Sequence, residues 1–143
     1  MNDQLASPWK PMKSVGLMEA IGPLYSRRSE DGWRYRLQTG AHHANAVGLV
    51  HGGTLTALAD QVMSLAAWQA ADRQPVVTIQ MDTTFLSAAK PGDFLEAEAR
   101  VVTRKGLMIF LEATITVEDE LVLKASCVMK VTRSRPREER DGK

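Results

Sequence analysis

Residues 52–71 read GGTLTALADQVMSLAAWQAA, with Leu55, Leu58, Ala59, Val62, Met63, Ala66 and Ala67 recurring at three- and four-residue spacing. That period is helical, and the apolar positions wrap so much of the circumference that the helix must be largely buried. A chain of 143 residues can build one well-buried domain around such a helix, and is short for two. The rest of the chain must therefore supply the cover.

The cover is written as strands. In LYSRRSEDGWRYRLQT, Trp33, Tyr35 and Leu37 alternate with Arg34, Arg36 and Gln38, which predicts a β-hairpin around Asp31-Gly32. After the helix, strands are predicted over 76–88, 94–104, 107–117 and 121–131, separated by Pro-Gly-Asp, Gly106 and the acidic turn Glu118-Asp119-Glu120. Their alternation and short turns predict an antiparallel meander. A short helix is expected near residues 14–23, with Ser14 as its N-cap and Gly22-Pro23 ending it. The expected class is α+β, one domain over 1–132. The tail 133–143, RSRPREERDGK, has no apolar content and is expected to be disordered. A curled sheet also leaves an antiparallel edge that a second copy can extend.

Bulk properties exclude several partners. A net charge of +1 gives no global attraction to nucleic acid or an anionic membrane. The apolar stretches are broken by charges well before the roughly 20 residues of a bilayer span. The N-terminal stretch lacks a basic-then-apolar secretion pattern, and the lone Cys127 makes no internal disulfide, so a cytoplasmic location is expected.

The buried helix carries a polar stripe: Gly53, Thr56, Asp60 and Ser64. A buried carboxylate needs a partner or a use. Two readings stand at this point: Asp60 bonds a neighbouring loop or helix end, or it does chemistry. The preceding His51-Gly52-Gly53 places glycine at the helix mouth, where free N–H groups and the positive end of the dipole can polarise a carbonyl. Gly52 and Asp60 are eight residues apart, about 12 Å of helix at 1.5 Å per residue. Both must lie about 3 Å from one reacting group. Chemistry joining them therefore requires two copies of the helix, antiparallel about a two-fold axis, with Asp60 of one facing Gly52 of the other.

HANAVGLVHGGTLTALAD followed by VVTIQMDTTFLSAAKPGDFLEAEA resembles the hot-dog-fold acyl-CoA thioesterases of the phenylacetic acid degradation type, over about residues 40–132. The shared pattern is an Asn, a His-Gly-Gly six residues later, an Asp nine residues after the His, then a strand with Ser or Thr and a Pro-Gly-Asp-like turn. The resemblance implies a long central helix wrapped by a curved antiparallel sheet, dimerising into a continuous sheet, as a homodimer or homotetramer. It implies Asp60 as the catalytic carboxylate, activating water or attacking the thioester directly. Gly52 N–H would polarise the carbonyl, Asn45 and His51 would orient the loop and thioester, and Thr78 would hold the water or Asp60. The acyl group, aromatic or medium-chain, would lie near Gly53, Leu55, Met63, Ser64 and Met81. The CoA would run over Lys90, Arg104 and Lys105, with Arg73 a further candidate. Coenzyme A enters as substrate, and no cofactor is implied.

Other functions compete. A non-catalytic acyl-CoA-binding module could use the same pocket, but a neutral thioester gains nothing from a facing carboxylate. A hot-dog dehydratase or hydratase depends on a catalytic His paired with an acidic residue in another loop context. His42, His43 and His51 fit no standard metal-ligand spacing, so no metal is expected. Cys127 reads as core, and Trp68 as either helix-end packing or acyl-pocket lining.

Overall fold

The computed structural model describes residues 8–133. The expected tail therefore lies, from residue 134 on, outside the described residues, as do residues 1–7. The elements are β1 (Lys10–Pro11), α1 (Leu17–Ile21), β2 (Leu24–Ser29), β3 (Gly32–Gln38), α2 (Gly52–Ala70), β4 (Val76–Phe85), β5 (Phe94–Lys105), β6 (Met108–Val117) and β7 (Glu120–Val131). The strands form one antiparallel sheet in the order β1-β2-β3-β5-β6-β7-β4.

α2 lies in the concavity of this sheet. Leu58, Ala59, Val62, Met63 and Ala67 are fully buried, packed with Leu24, Leu37, Leu95, Ile109, Leu111, Ile115, Leu123 and Met129 from the strands. These strand residues recur at every second position, so the period-two pattern delivers one apolar face to the helix. On the opposite face, Arg36 donates to Glu96 at 2.6 Å, and Arg100 pairs with Glu112.

The hairpin forms with Ser29 opposite Gly32, so its two-residue loop is Glu30-Asp31, one position before the expected one. α1 is shorter than predicted. Its N-cap is Gly16, at φ 60°, and not Ser14. Glycine takes that positive φ just outside the helix, and Val15 before it is exposed.

The four-strand meander is corrected in one respect. β5, β6 and β7 follow one another, but β4 crosses to the far edge and pairs with β7 alone. β5 instead sits beside β3, with Leu37 opposite Leu95. Residues 86–93 carry the chain between these two places. Leu86 N–H donates to Val122 O at 2.8 Å, Val50 N–H to Ala89 O at 2.8 Å, and the buried Thr39 hydroxyl to Asp93 O at 2.7 Å. The turn toward Val122 also ends β4 at Phe85, three residues before the predicted 88. β4 is thus an edge strand, with Val77 and Ile79 about half exposed.

Candidate active site

Two elements bound the site, the N-terminal half of α2 and the edge strand β4. A β-bulge between Thr78 and Gln80 sets which β4 side chains face the helix. Thr78 lies opposite Met129 and Met81 opposite Cys127, both inward-facing residues of β7. Without the bulge, residues three apart would point to opposite faces. With it, Thr78 and Met81 share the helix side. Because β4 is an edge, that side is open: Thr78 is exposed and Met81 half-buried.

Asp60 is half-buried on the facing flank of α2. The Thr78 hydroxyl donates to Asp60 Oδ1 at 2.6 Å. Among the described residues the second carboxylate oxygen accepts no hydrogen bond, so one oxygen is held and the other is left for a ligand. Cys127 lies close enough that the Asp60 charge reaches its thiol. Burial, and then that charge, push the thiol up to about 11.

The mouth of α2 is built by His51 and its loop. His51 is the N-cap, and its Nδ1 accepts the Gly53 N–H at 2.7 Å. The Thr54 and Leu55 N–H groups go to His51 O. The Gly52 N–H donates to no acceptor among the described residues. A helix leaves its first amides unpaired, and here the neighbouring ones are satisfied while this one stays available. A Cβ on Gly53 would lie 2.8 Å from His51 Nδ1, so the imidazole would have to leave its capping position. A Cβ on Gly52 would press on the Phe85 ring at 3.3 Å.

Asn45 shapes the loop before the helix. Its Oδ1 accepts the N–H groups of Val47 and Leu49, both at 3.1 Å, and an Ala44–Val50 bridge closes the loop. His43 is buried. Gly40 N–H donates to its Nδ1 at 2.9 Å, and its Nε2 bonds Ile21 O, so both ring nitrogens are used structurally. Among the described residues no group of three or more His, Cys, Asp or Glu could hold a metal ion.

The structure thus joins Asp60 to Thr78 by a hydrogen bond, with Gly53 and Ser64 on the same face of α2 by helical spacing and Met81 on the helix side of β4, while Asn45, His51 and Gly52 stand at the helix mouth. It does not gather the rest. Leu55 and Met63, expected along the acyl group, are 3% and 0% exposed and point into the core of their own chain. Lys90 stands near the start of α2, next to the Ala89 that accepts Val50 N–H. Arg104 is at the other end, donating to Ala70 O at 3.2 Å and Gly106 O at 3.0 Å. It closes the C-terminus of α2, and within one chain Lys90 cannot join Arg104 and Lys105 in one basic patch. Phe85 was not anticipated from the sequence. Its signal was a large apolar residue where a strand ends, which remains 53% exposed.

A single long helix in a curved antiparallel sheet, with a carboxylate and an unpaired helix-mouth amide, defines a class of thioester-cleaving protein. The Thioesterase superfamily profile matches residues 47–124. "Putative esterase PA0474" of Pseudomonas aeruginosa is 33% identical over 120 residues, covering 81% of this chain and 88% of that one. Human "Acyl-coenzyme A thioesterase 13" is 30% identical over 74 residues, about half of each chain (52% and 53%). A solved structure, a point mutant of phenylacetic acid degradation protein PaaI from Thermus thermophilus, superimposes with a TM-score of 0.72 at 24% identity, covering 80% of this chain and 97% of that one. The chain belongs to the Thioesterase superfamily and has its hot-dog fold. It is a thioester hydrolase. Among the described residues no helix is long and apolar enough to cross a membrane.

Proposed function

We propose that this chain is an acyl-CoA thioesterase of the phenylacetic acid degradation type, cleaving aromatic or medium-chain acyl-CoA to the free acid and CoA. The observation that carries this reading is the Asp60 carboxylate, held through one oxygen by Thr78 and open through the other. The human relative, an acyl-coenzyme A thioesterase by name, supports the substrate class. The Asn45, His51-Gly52-Gly53 and Asp60 pattern supports the subfamily.

In this account the protein works as a homodimer or homotetramer with two equivalent sites per dimer. Gly52 N–H of one subunit donates to the thioester oxygen as negative charge develops there, aided by the helix dipole. Asp60 of the other subunit activates water or attacks the carbonyl carbon, and the CoA thiolate departs. Asn45 and His51 keep the loop and Gly52 in register. Ser64, Met81 and Gly53 line the acyl group, while Leu55 and Met63 back it from the core. Lys90 of one subunit and Arg104 and Lys105 of another meet the CoA phosphates. Domain bounds of 1–132 and a cytoplasmic location belong to the same proposal.

The test is thiol release from phenylacetyl-, benzoyl-, hexanoyl- and acetyl-CoA. The expected order places the aryl or hexanoyl thioesters well above acetyl. Asp60→Asn should lower turnover by about 10²–10⁴-fold, the usual range for a general base. Wild-type turnover in Asp60→Asn, or acetyl-CoA as the preferred substrate, would overturn the reading.

A further inference from the structure

A second cleft, of about 700 Å³, lies on the other flank of α2, between its C-terminal half and the β2–β3 hairpin. Val62, Ala66 and Gln69 form its helix wall, with Trp33, Tyr35 and Trp68 around it. Val62 projects about 200° around the helix from Asp60, at 100° per residue, so the cleft and the thioester groove are on opposed flanks. Its size falls within the roughly 300–1,000 Å³ of small-molecule sites.

The lining has a definite chemistry. Trp33 and Trp68 are each about one-third exposed, although both are large apolar side chains. An arginine covers each ring: Arg28 lies 5.5 Å from the Trp33 centroid and Arg73 5.5 Å from that of Trp68. Arg73 makes no ion pair with a carboxylate among the described residues. It is held in place by its own backbone, at φ 65°, with its N–H donating to Trp68 O at 2.8 Å. Tyr35 is 4% exposed as a residue and lines the cleft, and its hydroxyl makes no hydrogen bond among the described residues. The oxygen itself is not sealed off from solvent, so a ligand in the cleft can reach it. Burial raises its ionisation above the usual phenol range, so the group stays a neutral donor.

We infer that this cleft is a binding site for a planar aromatic carboxylate, separate from the thioester site. The flat apolar body stacks against the indoles of Trp33 and Trp68, and the carboxylate takes the Arg73 guanidinium and the Tyr35 O–H. Indole faces and guanidinium together favour an anion with a flat body over an aliphatic or a cationic ligand. Asp72 also lines the cleft, and its charge disfavours a ligand that carries a second anionic group.

The probe is 2-naphthoate, titrated by calorimetry into the full chain, with 2-naphthalenemethanol as the uncharged control. Saturable binding of the carboxylate is expected, at least tenfold tighter than the alcohol. Arg73→Asn, chosen because Asn tolerates a positive φ, and Tyr35→Phe, which removes only the hydroxyl, should each weaken it at least severalfold while keeping a wild-type thermal transition. Asp60→Asn should leave it unchanged. Absence of saturable binding, equal affinity for the alcohol, or unaltered affinity in both folded cleft variants would overturn the proposal. So would a tenfold change in Asp60→Asn, which would put the naphthoate in the thioester groove.

Discussion

The Thr78 hydroxyl donates a 2.6 Å hydrogen bond to Oδ1 of Asp60, tying the edge strand β4 to the central helix. This contact fixes the direction of the free carboxylate oxygen. Thr78→Val keeps the shape and removes the donor. It should lower kcat by roughly 10–100-fold, the scale of a misplaced reacting group, with little change in KM. Thr78→Ser should recover most of the loss. Steady-state kinetics on the best acyl-CoA checks both, and an unimpaired Thr78→Val enzyme would remove the positioning role.

His51 and Gly53 act as a unit at the helix mouth. His51→Ala removes an N-cap and should cost about 1 kcal/mol. Gly53→Ala should cost a similar amount, because its new Cβ would sit 2.8 Å from His51 Nδ1 and expel the ring. The two losses should therefore fall short of additive in the double variant. Denaturant unfolding of the four proteins measures this, and full additivity would separate the two residues.

Ile79 occupies the bulge on β4, outside the register with β7, and is 53% exposed. Ile79→Lys should therefore spare the sheet of its own chain and block pairing of this edge with a second copy. Light scattering should find monomers and turnover should be lost with the dimer. Active monomers would refute the composite site.

The Cys127 thiol, pushed from its ordinary 9.0 to about 11 by burial and then by Asp60, gives a signed pH dependence. A group that holds its proton more tightly when folded stabilises the fold below its unfolded value, and that contribution is lost as pH rises through the folded one. Stability should fall between about pH 9 and pH 11. Asp60→Asn removes a negative charge, so the thiol should ionise at lower pH and alkylate faster at pH 9.5, a value chosen within that window. Equal alkylation rates in the two proteins would place Asp60 away from the sulfur.

The sequence carried the helix and the strand faces because both are written as periods, in Leu58 and Val62 and in Leu95, Ala97 and Ala99. It did not carry strand order. Alternation states which face of β4 is apolar and is silent on which strand it pairs with, so β4 read as β5's neighbour when it lies beyond β7. The pairing of Asp60 with Thr78 came from the family pattern, and the bulge that aims Thr78 has no composition signal of its own. That Leu55 and Met63 face the core of their own chain was not legible, because an apolar residue near a stripe reads alike whether it faces a ligand or the core. The bond from Arg104 to Ala70 O was hidden for a similar reason: a cation at a turn gives no sign of the helix end it closes.

The central claim is that one site uses Asp60 from one chain and Gly52 from another. It is tested most directly by co-expressing two inactive chains under different tags and isolating the mixed dimer. One carries Asp60→Asn. The other carries Gly52→Pro, which removes the N–H at a helix position where proline is tolerated. The account predicts recovered turnover, because one of the two sites in the mixed dimer pairs an intact Asp60 with an intact Gly52. A folded mixed dimer as inactive as its parents would contradict it.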